Sequence, residues 1–253
     1  ASERGAAFVV VGGDVFESNQ LDRAIVSQTF EVLRTFTVPV VLLPGNHDPL
    51  DSSSIYDSPA FGVRKPENVH VLRNSEPFAV VPGVEVIGAP WFSKRPHTDL
   101  VAQACVPLEP AAEEVVRVVL GHGAVSTLQP DRENLATIDL PQLREVLASG
   151  RAHVAILGDR HGTYEVAPGI WYPGTPEVTR RREIDPGNAL VVDVEVAAPA
   201  PVQVEKVRVG RWRFETVSRT LEGADDIAAL ARDLAEMPHK ERTAVWLVLN
   251  GTL

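Results

Sequence analysis

Short apolar runs punctuate the first 160 residues of the chain, and four of them end on a glycine-containing turn that carries a carboxylate, an amide or an imidazole. Phe8 to Val11 leads into Gly12-Gly13-Asp14, and Val40 to Leu43 into Pro44-Gly45-Asn46-His47-Asp48. Val115 to Leu120 ends at Gly121-His122-Gly123, and Val154 to Leu157 at Gly158-Asp159-Arg160-His161. Runs this apolar and this short read as strands buried on both faces. Between the first two, Leu21 to Phe36 reads as a helix, with Leu21, Ile25, Leu33 and Phe36 near one face of a 3.6-residue period. Strand, helix, strand implies a parallel pair, and in open α/β sheets ligands sit beyond the carboxyl ends of the strands. The four polar turns are therefore expected to meet at one rim of the sheet.

The remaining pattern is weaker. Pro49 to Pro66 reads as a loop with a short helical piece around Ser53 to Tyr56. Val69 to Leu72, Phe78 to Val81 and Val84 to Ile87 read as strands, the last two joined in a hairpin by Pro82-Gly83. Pro90 to Pro110 shows little periodicity. Thr137 to Leu147 predicts a covering helix, capped by Asp139, with Pro141 early, Leu143, Val146 and Leu147 on one face, and Gly150 as its stop. Ile170 to Tyr172 and Ala189 to Val196 are further strands. Ala197-Ala198-Pro199-Ala200-Pro201 reads as a stiff linker, which divides the chain into residues 1–197 and 202–253. Beyond it, Val202 to Val209, Trp212 to Val217, a helix over Ala224 to Met237 and a strand from Thr243 to Leu249 predict a small, incomplete ββαβ unit. The helical composition of Ala1-Ser2-Glu3-Arg4 before Gly5, and the strand just before Leu253, give the look of a fragment cut at both ends.

With 253 residues and 44% hydrophobic content the chain can bury a substantial core. A net charge of -10 gives no general attraction to nucleic acid, so any such contact has to be local. The single cysteine, Cys105, excludes an internal disulfide and a thiolate zinc knuckle. No apolar stretch is long enough to cross a bilayer and no leader opens the chain, so no membrane association and a cytoplasmic location are expected.

Asp, Asn and His offer oxygen and nitrogen ligands of intermediate hardness, suited to manganese, iron or zinc, and the lack of sulfur leans toward the harder ions. Taken singly, Asp14 reads equally well as a cap, Asn46 as a turn residue and His122 as a surface side chain. Four strand ends bearing the same kind of polar residue point to a shared site. His70, His97, His153 and His239 lack the glycine-turn setting and read as surface or core residues.

These turns resemble the successive motifs of the calcineurin-like metallophosphoesterases. Within them Gly13-Asp14-Val15-Phe16-Glu17-Ser18, the trailing Asp48, and Tyr172-Pro173-Gly174-Thr175-Pro176 resemble the SbcD-type DNA repair exonucleases. The resemblance implies a layered α/β/β/α sandwich with a small α+β capping domain, incomplete here. It implies a two-metal phosphodiesterase using divalent ions, manganese above all. Asp14 would bridge both ions, Asn46 and His122 bind the second, His161 bind the first, and His47 act on the leaving group. DNA is the implied substrate, an SbcC-type coiled-coil ATPase the implied partner, and pairing into a homodimer is common among such relatives. Two departures stand out. The family's first motif, Asp-x-His, has no counterpart before Asp14, and Asp159 stands where histidine is usual, adding an anionic oxygen that favours a harder ion.

Arg180, Arg181 and Arg182 precede one strand, Lys206 and Arg208 share a face of another, and Arg211 and Arg213 follow across Gly210. These seven read either as a local phosphate-binding margin or as an ordinary solvated face. Three functions stay open: a nuclease acting on DNA, a phosphodiesterase for nucleotides or other small phosphoesters, and a catalytically silent scaffold.

Overall fold

The protein is described by a computed structural model covering residues 1–131, 133–195 and 202–251. The chain begins with β1 (Val9–Val11), α1 (Arg23–Leu33), β2 (Val40–Leu42), α2 (Pro59–Arg64) and β3 (Val69–Val71), whose strands form a parallel sheet in the order β1-β2-β3. It then builds a second sheet from β4 (Phe78–Val81), β5 (Val84–Gly88), β6 (Val116–His122), β7 (Val154–Gly158), β8 (Tyr164–Ala167) and β9 (Ile170–Tyr172). The order is β4-β5-β6-β7-β9-β8, parallel at its centre and antiparallel at both edges. The helices α3 (Leu100–Cys105) and α4 (Leu140–Ala148) cover it.

Three apolar layers explain why the strands are hydrophobic on both faces. Val40, Leu42 and Val69 pack against Val26, Phe30 and Leu33 of α1 and Phe61 of α2. Val10, Val41 and Leu43 point the other way, onto Val86, Val118, Leu120, Val154 and Ile156 of the second sheet. The far face of that sheet, with Val119, Ala155 and Leu157, meets Val101, Ala104, Leu143 and Val146 of α3 and α4. The result is an α/β/β/α sandwich. The four polar turns consequently lie on two sheets, two on each, and not along the rim of one. The switch comes between β3 and β4, and the first turn inside the new sheet is the β4–β5 hairpin, where Gly83 takes φ +76.

Local signals account for the helices. Asp22 caps α1 by accepting from the Ala24 amide at 3.4 Å. The buried stripe of α1 is Val26, Phe30 and Leu33, whereas Ile25, expected on the inner face, is 45% exposed. An i, i+4, i+7 stripe centred one residue further along meets the sheet more squarely. Asp139 caps α4 through the Gln142 amide at 2.9 Å, and Gly150 ends the turn beyond it at φ +70. Inside the weakly patterned Pro90 to Pro110 stretch, Asp99 caps α3 through the Ala102 amide at 2.9 Å.

β10 (Asn188–Val194) pairs antiparallel with β11 (Val202–Arg208), so this ladder spans the expected linker; Ala197 is in that linker, which lies outside the described residues. Val192, Val194 and Val202 pack onto the layer between the two sheets. β12 (Arg213–Leu221), α5 (Ala224–Ala235) and β13 (Thr243–Gly251) follow, the two strands paired in parallel. Among the described residues no helix is long and apolar enough to cross a membrane.

Candidate metal centre

Three of the predicted ligands converge where the two sheets meet. The His122 Nδ1–H donates to the Gly12 carbonyl at 2.7 Å, which turns Nε2 toward the Asn46 amide oxygen at 2.8 Å and the Asp14 carboxylate at 3.3 Å. The His47 amide donates to the other Asp14 oxygen at 2.9 Å. Burial opposes charge on both partners, but the hydrogen bond and mutual attraction between Asp14 and His122 outweigh it. The Asp14 carboxyl is held below its ordinary range and the His122 imidazole above its own. Asp159 adds to the negative field that charges His122.

Backbone geometry leaves just enough room for this cluster. Asp14 lies at φ +52, a left-handed conformation that Asp tolerates, directly after Gly13 at φ +97. A Cβ at Gly13 would overlap the His122 ring, and one at Gly45 would overlap the Asp14 carboxylate and lie 2.6 Å from the Asp14 amide nitrogen. Gly158 faces Gly12 so closely that any side chain there would collide with the Gly12 carbonyl. The glycines thus serve close approach of β1, β6 and β7 at their carboxyl ends.

Two buried residues that the sequence reading left without a role hold the turns. Asp48 is fully buried; one of its oxygens accepts from the Gly45 amide at 2.7 Å, the other from the Phe16 amide at 3.1 Å and the Tyr56 hydroxyl at 2.7 Å. Burial raises its carboxyl despite those donors. Trp91 bridges the second and third turns. Its amide donates to Pro44, its carbonyl accepts from Leu50, and its indole Nε1–H donates to the His122 carbonyl at 2.9 Å. The ring also meets the His122 imidazole edge-on, with centroids 5.7 Å apart.

The fourth turn is arranged differently. His161 Nδ1 lies 2.6 Å from Glu183 and 2.9 Å from the Thr179 hydroxyl, and no hydrogen bond or ion pair joins it to Asp14, Asn46 or His122 among the described residues. Glu183 has a side chain only 7% exposed and is held by the Thr179 amide at 2.8 Å. Burial works against its ionisation, but the Thr179 and His161 hydrogen bonds lower its carboxyl on balance. The Tyr172 to Pro176 stretch supports the same turn, since the Thr175 amide donates to the His161 carbonyl at 3.0 Å and Gly174 takes φ +76. Asp159 sits at φ +91, a strained conformation for an L-residue, 3.7 Å from the Arg160 guanidinium. His47 stands at the edge, 43% exposed, with Nδ1 3.0 Å from the Glu17 carbonyl.

The family model for calcineurin-like phosphoesterase matches residues 1–163, well over half of the chain. The chain belongs to the calcineurin-like phosphoesterase family. No curated protein is significantly similar to it. Among solved structures, TT1561 of Thermus thermophilus is similar at 11% identity, over 82% of this chain and 88% of that one, with a TM-score of 0.47. A second structure matches at 16% identity, over 81% of this chain and 90% of that one, with a TM-score of 0.45.

Phosphoesterases of this family use divalent metal ions and hydrolyse phosphoesters, and one part of the site fits such an ion. Neighbouring ligands on an octahedral ion with bonds of about 2.1 Å lie about 3.0 Å apart, and the Nε2 contacts of 2.8 and 3.3 Å bracket that edge. The donor set is one carboxylate, one amide oxygen and one imidazole. Among the described residues no three His, Cys, Asp or Glu side chains are grouped to hold an ion, so the Asn46 oxygen is essential to this fit. A further ion shared by Asp14 and His161 would need donors that the described residues do not bring together.

The seven cations that read either as a phosphate-binding margin of the phosphoesterase or as a solvated face are partly committed elsewhere. Lys206 pairs with Asp185 at 2.7 Å, Arg208 donates to the Pro186 carbonyl, and Arg213 to Thr243 and the Pro238 carbonyl. Arg181 stacks on Trp246, 4.1 Å from the ring centroid. Arg180, Arg182 and Arg211 are exposed, their side chains without a hydrogen-bond or ion-pair partner among the described residues.

Proposed function

We propose that this phosphoesterase hydrolyses phosphodiester bonds of DNA, with manganese as its ion, as the resemblance of its turns to the SbcD-type exonucleases suggests. The observation that carries the reading is the convergence of Asp14, Asn46 and His122 Nε2 within hydrogen-bonding distance of one another. Bound metal supplies Lewis acidity, neutralising phosphate oxygens and acidifying a water.

The chain's own residues do the rest. The Gly12 carbonyl fixes the His122 tautomer, so that Nε2 becomes a ligand once it sheds its proton. Asp48 and Trp91 hold the Asn46 and His122 turns in register. His47 is anchored through Nδ1 at the Glu17 carbonyl, and its other ring nitrogen is free to deliver a proton to the leaving oxygen. Glu183 holds the His161 Nδ1, which leaves Nε2 as the nitrogen that would bind a second ion, and Asp159 would bias the site toward hard cations.

Residues 202–253 form the capping portion that orients the polymer, and an SbcC-type coiled-coil ATPase, homodimer pairing and a cytoplasmic setting complete the proposal. The net charge of -10 favours a second reading, a phosphodiesterase for nucleotides or other small esters. Manganese-dependent cleavage of a labelled DNA hairpin, compared with a small phosphodiester and using the full-length protein, separates them. Cleavage of the hairpin is expected; turnover of the small ester alone supports the second reading, and turnover of neither supports a silent scaffold.

A further inference from the structure

The segment from Phe92 to His97 follows Trp91, which hydrogen-bonds to both the Asn46 turn and His122. Trp91 is tied to Pro44 and Leu50, on either side of the Asn46 turn, and to His122 through its indole. Its neighbour Phe92 is 52% exposed and makes no aromatic contact among the described residues, so a large flat apolar ring stands in water one residue along the chain from that bridge. Two residues on, Lys94 and Arg95 are both exposed, and neither has a hydrogen-bond or ion-pair partner among the described residues. In a chain with 34 acidic and 24 basic residues, two adjacent uncommitted cations are notable, the more so because Lys206, Arg208 and Arg213 spend their charge on internal acceptors.

An aromatic face next to free cations is the chemistry that binds unpaired bases and their phosphates: the ring stacks on any base, and the cations neutralise the backbone. Double-stranded DNA shields its base faces and would leave Phe92 unused. We infer that Phe92, Lys94 and Arg95 form a binding surface for single-stranded nucleic acid, which feeds a strand to the Asp14, Asn46 and His122 centre. This deepens the proposed function and rests on it.

Anisotropy of a labelled oligothymidylate with the full-length protein, in metal-free buffer so that nothing is cleaved, tests the surface across a salt series. Phe92→Leu is expected to weaken binding at least about fivefold with the salt slope unchanged, and Phe92→Tyr to restore it. The double variant Lys94→Gln with Arg95→Gln should lower the slope of log affinity against log salt by about 1.4, the value for two phosphate contacts on a single strand. Manganese affinity and the thermal midpoint should match the parent in all variants. Parent-like oligonucleotide binding in the variants, or loss of binding together with loss of manganese affinity, overturns this inference alone. A parent that binds manganese but no oligonucleotide overturns the DNA reading beneath it.

Discussion

Replacing Asp48 by Asn removes one charge from the interior while barely changing shape, and the hydrogen bonds around it fix what should follow. The carboxylate satisfies three donors, the Gly45 and Phe16 amides and the Tyr56 hydroxyl, with its two oxygens. An amide offers a single oxygen. If that oxygen faces Phe16 and Tyr56, the Gly45 N–H confronts an NH₂; if it faces Gly45, the Phe16 N–H does. Either way one buried backbone donor loses its acceptor, at about 1–3 kcal/mol, and the surviving bonds lose their charge assistance. Relief of carboxylate burial, visible in the raised Asp48 carboxyl, offsets part of this. A net loss of about 2 kcal/mol follows, equivalent to a drop of about 4–8 °C in thermal midpoint for a chain of this size. Urea unfolding should show the loss as a lower midpoint at unchanged slope. Because the Gly45 to Asp48 turn carries Asn46 and the His47 amide that contacts Asp14, manganese affinity should fall about 10–100-fold. Tyr56→Phe removes only one donor and should cost about 1.5 kcal/mol. Stability within about 0.5 kcal/mol of the parent, together with unchanged manganese affinity, would refute the role given to Asp48.

Three further outcomes are expected. Gly45→Ala places a Cβ against Asp14 and should reduce manganese binding by more than about tenfold, measured by titration calorimetry, with about 1–3 kcal/mol of overpacking in urea melts. Glu183→Gln deprives His161 Nδ1 of its carboxylate and should lower manganese-dependent turnover about tenfold, with ¹⁵N spectra showing His161 exchanging between tautomers. The thermal midpoint of the metal-free protein should fall at both pH extremes. The raised His122 contributes stability that is full below its unfolded value of 6.5 and is lost as pH rises through its folded value; the lowered Asp14 contributes stability present above 3.8 and lost as pH falls through its folded value. Saturating manganese, which takes the neutral imidazole, should abolish the alkaline decline.

Much of this was legible because strong local signals coincided with global needs. The Asp139 cap, the Pro82-Gly83 hairpin and the short apolar strands each agree with the sandwich they build. Asp14, Asn46 and His122 were identifiable because glycine turns at strand ends are where backbones approach and side chains converge. The split into two sheets was invisible to periodicity, since a strand buried between two layers reads the same whichever sheet it joins. The α2 and α3 helices were missed because six residues hold too few turns for a 3.6-residue stripe. Pairwise partners are long-range facts that spacing along the chain cannot carry: Glu183 for His161, Tyr56 for Asp48, Asp185 for Lys206.

The account stands or falls on whether Asp14, Asn46 and His122 share a divalent ion. Titrating manganese into the full-length protein, with the free ion followed by electron paramagnetic resonance, measures this directly in the parent and in Asn46→Ala. A saturable site in the parent, weakened by at least about tenfold in the variant, is predicted. Equal affinity in the two proteins, or no saturable binding in the parent, would contradict it.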